Sequence, residues 1–222
     1  MKKQKYLIVA ITLFACLVMG IVDAVIQPGY WVKSGVKICM FLLLPVSYAL
    51  LDRSCDLKRL FIPNRRGLLL ALSMGVGVYA VILGAYFLFR NIFEFSGLVG
   101  SLTDSTGVNK NNFLWVALYI SFVNSLLEEF FFRGFSFLCL KRTAGRTVAY
   151  VFSASAFALY HIAMMIGWFS WTVVVLALVG IFAGGLIFSF FNEKFDNIYL
   201  SWLIHMFANF ATNTIGFLLF QG

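Results

Sequence analysis

Two glutamates and one arginine lie within six consecutive residues of an otherwise apolar stretch, from Glu128 to Arg133. Glu129 and Arg133 are four residues apart, so on a helix they share a face and we expect them to form a structural ion pair. Glu128 is rotated about 100° from Glu129 on the same helix, so no cation in this stretch is in register with it. An ion pair therefore explains Glu129 and Arg133 and leaves Glu128 as a candidate for chemistry.

The sequence contains two histidines, and both lie in apolar stretches. His161 is one of them, and His205 precedes Asn209 by four residues, so these two share a helix face. A carboxylate in an apolar site can act as a general base, and an adjacent imidazole can share the proton. A second imidazole and an amide can donate hydrogen bonds to an oxyanion. Together these residue types suit hydrolysis of a peptide bond by an activated water.

A zinc site is the alternative interpretation of the same residues. Glu128, His161 and His205 have the composition of a catalytic zinc site, with water in the fourth position. However, the sequence lacks an HExxH pair that would hold a metal from one helix. We expect no cofactor to be required and keep Zn²⁺ on these three ligands as the alternative.

The composition is that of a membrane protein. Of the 222 residues, 62% are hydrophobic and 12% are charged, whereas soluble domains contain about 25% charged residues. This excludes a soluble enzyme, a disordered chain and a disulfide scaffold. The net charge of +8 comes from basic residues in short loops, which indicates membrane topology rather than nucleic-acid binding. The four cysteines form no CxxC pair, so we expect them to be reduced, small apolar side chains.

Seven apolar runs are long enough to cross a bilayer, which predicts an all-α, polytopic helical bundle. The second run is the shortest and carries Lys37 near its start, and the last contains polar residues that could break it into two pieces, giving eight spans. The runs are residues 6–26, 35–51, 68–89, 113–140, 148–166, 171–191 and 198–220.

The basic residues also predict the orientation. With a cytoplasmic N-terminus, twelve of the 17 Lys and Arg residues lie on the inner side, four (including Lys37) lie on the outer side, and Arg133 lies within a span. Inner loops of membrane proteins are enriched in Lys and Arg. The first apolar run is longer than a signal-peptide core, so we expect it to be retained as a span. We therefore predict a multi-pass protein of the plasma membrane with a cytoplasmic N-terminus.

The ordered motifs resemble those of one protein family. Glu128-Glu129-x-x-x-Arg133, Phe157-x-x-x-His161 and His205-x-x-x-Asn209 follow one another on separate predicted spans. In this order they resemble the CPBP family of intramembrane proteases, which includes type II CAAX prenyl endopeptidases and bacterial members linked to bacteriocin processing and immunity. The resemblance implies a protease core over residues 112–216, preceded by about three spans in residues 1–111.

The resemblance also implies roles for the residues. Glu128 would activate water with the help of His161, whereas His205 and Asn209 would stabilise the oxyanion or the substrate. Glu129 and Arg133 would form the structural pair. The expected function is an endopeptidase of the bilayer, acting on a membrane-associated peptide or protein, and loop lengths and composition favour a bacterial host.

Two other functions are compatible with the sequence. In a non-catalytic immunity or scaffold protein of the same family, the polar cluster would only hold helices together. In a transporter, Glu128 and His161 would relay protons, although the sequence shows no sign of the paired interrupted helices of transporter repeats.

Overall fold

The computed structural model describes residues 2–52, 55–62, 65–92, 98–166 and 169–221. Within these ranges the regular structure is helical, and seven helices are long and apolar enough to cross a membrane. The predicted all-α polytopic bundle is therefore confirmed. A further short helix, α4, lies between the third and fourth spans. The helices are α1 (Lys3–Ile26), α2 (Tyr30–Leu51), α3 (Leu68–Phe89), α4 (Leu98–Thr106), α5 (Phe113–Ala144), α6 (Arg146–Met165), α7 (Trp171–Phe195) and α8 (Tyr199–Gln221).

Two of the spans differ from the sequence prediction. Helix α2 begins at Tyr30, five residues before the predicted start at residue 35, so Lys37 lies two turns inside the span. Helix α8 runs from Tyr199 to Gln221 without a break, so the last apolar run does not form two pieces. The first difference matters for the site, because it moves a cation away from the predicted outer surface and into the bundle.

Helix α5 lies at the centre of the bundle. Helices α1, α6 and α8 are each hydrogen-bonded to it: Thr12 to Ser136 at 2.9 Å, Ser153 to the carbonyl of Phe132 at 2.7 Å, and Trp202 to Ser125 at 3.0 Å. Helix α2 contacts α5 through the rings of Phe41 and Phe131, which stack with centroids 4.2 Å apart. Side chains from four other spans thus meet the helix that carries both glutamates.

The winding of α5 changes at the glutamates. Residues Ser125–Glu128 form an α-helical turn, and Glu129–Cys139 continue as a π-helix. In π-helical segments the backbone bonds run from i to i+5, and such segments are frequent at functional sites. Glu128 and Glu129 therefore lie on either side of a change in helical geometry.

Glycines allow close helix contacts, among them one at Gly185 and one at Gly75. A Cβ on Gly185 of α7 would lie 3.1 Å from the Cα of Ala154 on α6, and one on Gly75 of α3 would lie 2.6 Å from the ring of Phe207 on α8. Small residues let helices approach closely in lipid, where packing drives association. Gly185 thereby brings α7 against the helix that carries His161.

The cysteines differ from the prediction. Cys55, in the connection between α2 and α3, forms a disulfide with Cys139 near the end of α5, whereas Cys16 and Cys39 are free. The expectation that all four cysteines are reduced is therefore wrong for one pair. The pairing depends on a tertiary contact between residues 84 positions apart, which no local spacing reveals.

Candidate active site

Helix α5 buries two adjacent carboxylates in the bundle. Glu128 is 2% exposed and Glu129 is 0% exposed. A charged side chain at membrane depth is costly unless it is paired. The groups around each carboxylate therefore show what it can do.

A lysine from another span neutralises Glu128. The ammonium of Lys37 on α2 lies 2.5 Å from Glu128 Oε1. Asn124, one turn before Glu128, donates its amide to the same oxygen at 3.1 Å and accepts from Lys37 at 2.5 Å. No cation of its own helix is paired with Glu128, as expected, but the carboxylate is not left unpaired, because a lysine 91 residues away in the chain supplies the charge.

The second oxygen of Glu128 faces both histidines. Glu128 Oε2 lies 3.9 Å from Nε2 of His161 on α6 and 3.6 Å from Nε2 of His205 on α8. Both separations are too long for a direct hydrogen bond, and a polar gap of this size suits a bridging water. Glu128 thus has one oxygen fixed by Lys37 and Asn124 and a second oxygen directed at two imidazoles.

The partners of the Nδ1 atoms determine which ring nitrogens carry protons. His161 Nδ1 lies 2.7 Å from the carbonyl oxygen of Phe157, and His205 Nδ1 lies 2.9 Å from Glu129 Oε1. A carbonyl and an ionised carboxylate only accept hydrogen bonds, so we assign the proton of each neutral ring to Nδ1. The Nε2 lone pairs of both rings then face Glu128 Oε2, where they can accept a proton.

Glu129 has a different environment. Arg133 Nη1, one turn along α5, lies 3.3 Å from Glu129 Oε1, and both side chains are fully buried. The guanidinium carbon of Arg133 lies 3.9 Å from the ring centroid of Phe157 and 5.1 Å from that of Phe188. Cation–π contacts of this kind stabilise a desolvated guanidinium. Glu129 therefore contacts both Arg133 and His205 in a closed pocket.

The buried charges balance. Lys37 and Arg133 carry two positive charges, and Glu128 and Glu129 carry two negative charges, with none of the four more than 4% exposed. Neutral histidines therefore leave the cluster uncharged, which limits the cost of burying it.

Asn209 lies one helical turn beyond His205, but its amide forms a hydrogen bond away from Glu128. Its amide donates to the carbonyl of Ile120 on α5 at 3.1 Å. Asn213, one further turn along α8, donates to the carbonyl of Ala117 and to Ser121. An amide has two N–H donors, so Asn209 has a second donor besides the one given to Ile120.

The arrangement does not fit a catalytic metal. The donor types of Glu128, His161 and His205 suit zinc, but the ammonium of Lys37 lies on the same carboxylate, and its charge opposes that of a dication. Among the residues that the structure describes, no group of three or more His, Cys, Asp or Glu side chains is placed to hold a metal ion. The expectation that no metal is required stays a prediction.

The structure adds two residues that sequence reasoning did not assign to the site, namely Lys37 and Asn124. Asn124 precedes Glu128 by four residues, so its shared helix face was a usable signal. A lysine inside an apolar run was also a signal, but the predicted span is shorter than α2 and leaves Lys37 at its outer end. The residue with which Lys37 pairs depends on how α2 packs against α5, which the sequence does not show.

Comparison with known proteins identifies the region that contains most of these residues. Residues 110–211 match a family model described as type II CAAX prenyl endopeptidase Rce1-like. The matched region includes both glutamates, Arg133, both histidines and Asn209, and Lys37 lies outside it. Comparisons with curated proteins and with solved structures give no match. The resemblance drawn from the motifs is thus confirmed by the family model.

Proposed function

We propose that this protein hydrolyses a peptide bond of a membrane-associated peptide or protein, because residues 110–211 match the family model of Rce1-like type II CAAX prenyl endopeptidases. The observation that carries the proposal is the position of Glu128 Oε2, which faces Nε2 of both histidines at 3.6 and 3.9 Å. One carboxylate oxygen and two imidazole nitrogens thus surround one point between the helices. Such a group is suited to activating a water.

The proposed reaction uses Glu128 as the base. A water between Glu128 Oε2 and His161 Nε2 attacks the carbonyl carbon of the scissile bond, and one of its protons passes to Glu128. His161 accepts a hydrogen bond from the same water and orients it. The proton on Glu128 then passes to the leaving nitrogen as the carbon–nitrogen bond breaks. The products are a new carboxyl terminus and a new amino terminus.

The proposed oxyanion stabilisation comes from α8. Glu129 accepts the Nδ1 proton of His205 at 2.9 Å, which fixes the orientation of the ring. With a second proton, taken from solvent and kept through the reaction, His205 Nε2 would donate to the oxyanion as the charge develops. Asn209 contributes the amide hydrogen that Ile120 does not take. These roles require no metal, and we propose a metal-free reaction.

The bilayer is the proposed source of the substrate. The site lies between helices that would cross the membrane, and 17% of the His161 side chain is exposed, against 8% for His205 and 2% for Glu128. We propose a plasma-membrane location with a cytoplasmic N-terminus, and we expect no nucleic-acid partner. An accessible tag at the N-terminus of intact cells would contradict this orientation.

The test compares wild-type protein with Glu128→Gln. Membrane peptides from cells that express either form identify candidate substrates, and the purified proteins are then assayed on them in lipid nanodiscs. We expect Glu128→Gln to lower kcat by about 10²–10⁴-fold, the usual contribution of a general base. Glu193→Gln is the matched control, because Glu193 pairs with Lys141 and Arg146 outside the site. Wild-type turnover by folded Glu128→Gln protein would contradict the proposal.

The second candidate function is a non-catalytic immunity or scaffold protein. The observation that favours it is the pairing of both buried carboxylates with cations, since such pairs can also serve only to specify helix packing. This alternative predicts that Glu128→Gln leaves the cellular phenotype unchanged while the protein stays folded. Loss of the phenotype together with loss of peptide cleavage would exclude it.

A further inference from the structure

Lys37 connects the site to a part of the chain that the family match does not include. It lies on α2, outside residues 110–211. Its side chain is 4% exposed, and its ammonium lies 5.0 Å from the ring centroid of Tyr160, the neighbour of His161. A lysine that served as a topology signal would lie at a helix end in contact with water or headgroups. Lys37 instead points into the bundle.

The ammonium of Lys37 is positioned by its partners. It donates to Glu128 Oε1 and to Asn124 Oδ1, both at 2.5 Å. An ammonium has three donors, so two of them are committed to the turn of α5 that carries the proposed base. Asn124 also donates to Glu128 Oε1, so each of these three side chains is hydrogen-bonded to the other two.

Packing fixes the register of this contact. Phe41 lies one turn beyond Lys37 on α2 and stacks on Phe131 of α5, with ring centroids 4.2 Å apart. Both rings are fully buried. Since α2 is held against α5 at this point, the ammonium lies beside Oε1 and the carboxylate is oriented with Oε2 toward the histidines.

We propose that Lys37 is a positioning residue of the site: by holding Glu128 Oε1, it directs Oε2 at His161 and His205. The inference rests on the proposed function. It implies that the region matching the family model is incomplete as a catalyst and that α2 supplies the missing cation. Lys37 acts through Glu128 and does not itself touch the substrate.

Helix α2 offers a matched control for Lys37. Lys33 lies one turn before Lys37 and pairs with Asp23, whose side chain is 1% exposed, at 2.5 Å. Lys33→Met therefore also removes a buried ion pair between α2 and a neighbouring helix, but this pair does not include Glu128. A loss of kcat that is caused only by a weakened contact of α2 will therefore appear in both Lys37→Met and Lys33→Met.

The experiment measures kcat and KM of purified Lys37→Met, Lys37→Arg and Lys33→Met in nanodiscs, together with their melting temperatures. We expect Lys37→Met to lower kcat about 10²-fold, as misplacement of a reacting group by about 1 Å does, with KM within about twofold of the wild type. Lys37→Arg keeps the charge and should recover part of kcat. Lys33→Met should melt earlier and keep the wild-type kcat.

The outcomes separate this proposal from the proposed function. Wild-type kcat in folded Lys37→Met, or equal losses of kcat in Lys37→Met and Lys33→Met, would overturn the proposed role of Lys37. Neither result would contradict the proposed function. If no peptide is cleaved by wild-type protein, the proposed function fails and this proposal fails with it. If Lys37→Met does not fold, Lys37→Gln replaces it, and equal kcat values for Lys37→Gln and Lys37→Arg would contradict positioning by charge.

Discussion

Glu128 and Glu129 are neighbours in the sequence, yet they lie in two different environments. Glu129 is in a closed pocket, where it contacts Arg133 of its own helix and Nδ1 of His205. Glu128 is paired with Lys37 of another helix. Its second oxygen faces Nε2 of His205 and Nε2 of the partly exposed His161. A rotation of about 100° between successive helical residues directs the two carboxylates to these separate surroundings. The closed pocket suits a structural role, and the accessible one suits chemistry.

His205 links the two environments. Its Nδ1 lies 2.9 Å from Glu129 and its Nε2 lies 3.6 Å from Glu128. The Glu129 pocket therefore also holds a ring that the proposed reaction uses. We expect damage in that pocket to reduce stability first and to reduce activity through the orientation of His205.

The largest effect on stability should come from Arg133. Arg133→Met leaves Glu129 buried without its cation, which we expect to cost about 3–5 kcal/mol in the free energy of unfolding. Melting temperature and yield in detergent are the measurements. The double variant Glu129→Gln with Arg133→Met should recover much of the loss, because it leaves no unpaired charge. Unchanged melting of Arg133→Met would show that Glu129 does not need this partner.

A smaller effect, on turnover, is expected at Asn209. Removal of an oxyanion donor typically costs about 10²–10³-fold in kcat, so Asn209→Ala should lower kcat by that amount with little change in melting temperature. Asn213→Ala is the control, since the Asn213 amide also joins α8 to α5, through the carbonyl of Ala117 and through Ser121. If both variants lose stability and keep kcat, Asn209 serves only to join α8 to α5.

The smallest effect should come from Gly185. A Cβ at this position would lie 3.1 Å from the backbone of Ala154 and 3.4 Å from Arg133 Nη2. Overpacking of this kind costs about 1–3 kcal/mol, so Gly185→Ala should lower the melting temperature. Gly184→Ala, which would meet nothing within 4 Å, is the control. Equal melting temperatures for Gly185→Ala and Gly184→Ala would mean that α7 can move away from Arg133 without a loss of stability.

Periodicity and local spacing were sufficient to predict the seven spans. The Glu129–Arg133 contact also follows from spacing, since it depends on one turn of one helix. The histidines, both within apolar runs, were expected near Glu128 from the family motifs, and the structure brings them there.

The contacts that could not be predicted are those between distant segments. Lys37 meets Glu128, and Cys55 meets Cys139, only because separate helices pack in a particular register. Lys37 was also obscured by the less apolar start of α2, where residues 30–34 include Lys33 and Ser34. Lys37 lies near the predicted start of its span, which favours a topology signal, whereas the five further residues of α2 place it in the core.

The comparison of the two glutamates is tested most directly by measuring Glu128→Gln and Glu129→Gln side by side. Turnover per folded molecule and melting temperature are recorded for both proteins in the same nanodiscs on the same substrate. We expect Glu128→Gln to lose at least about 10²-fold in kcat, and Glu129→Gln to melt earlier while it keeps most of its kcat, because a glutamine oxygen can still accept from His205 Nδ1. Wild-type turnover in Glu128→Gln, or a greater loss of kcat in Glu129→Gln, would contradict the assignment of Glu128 as the base.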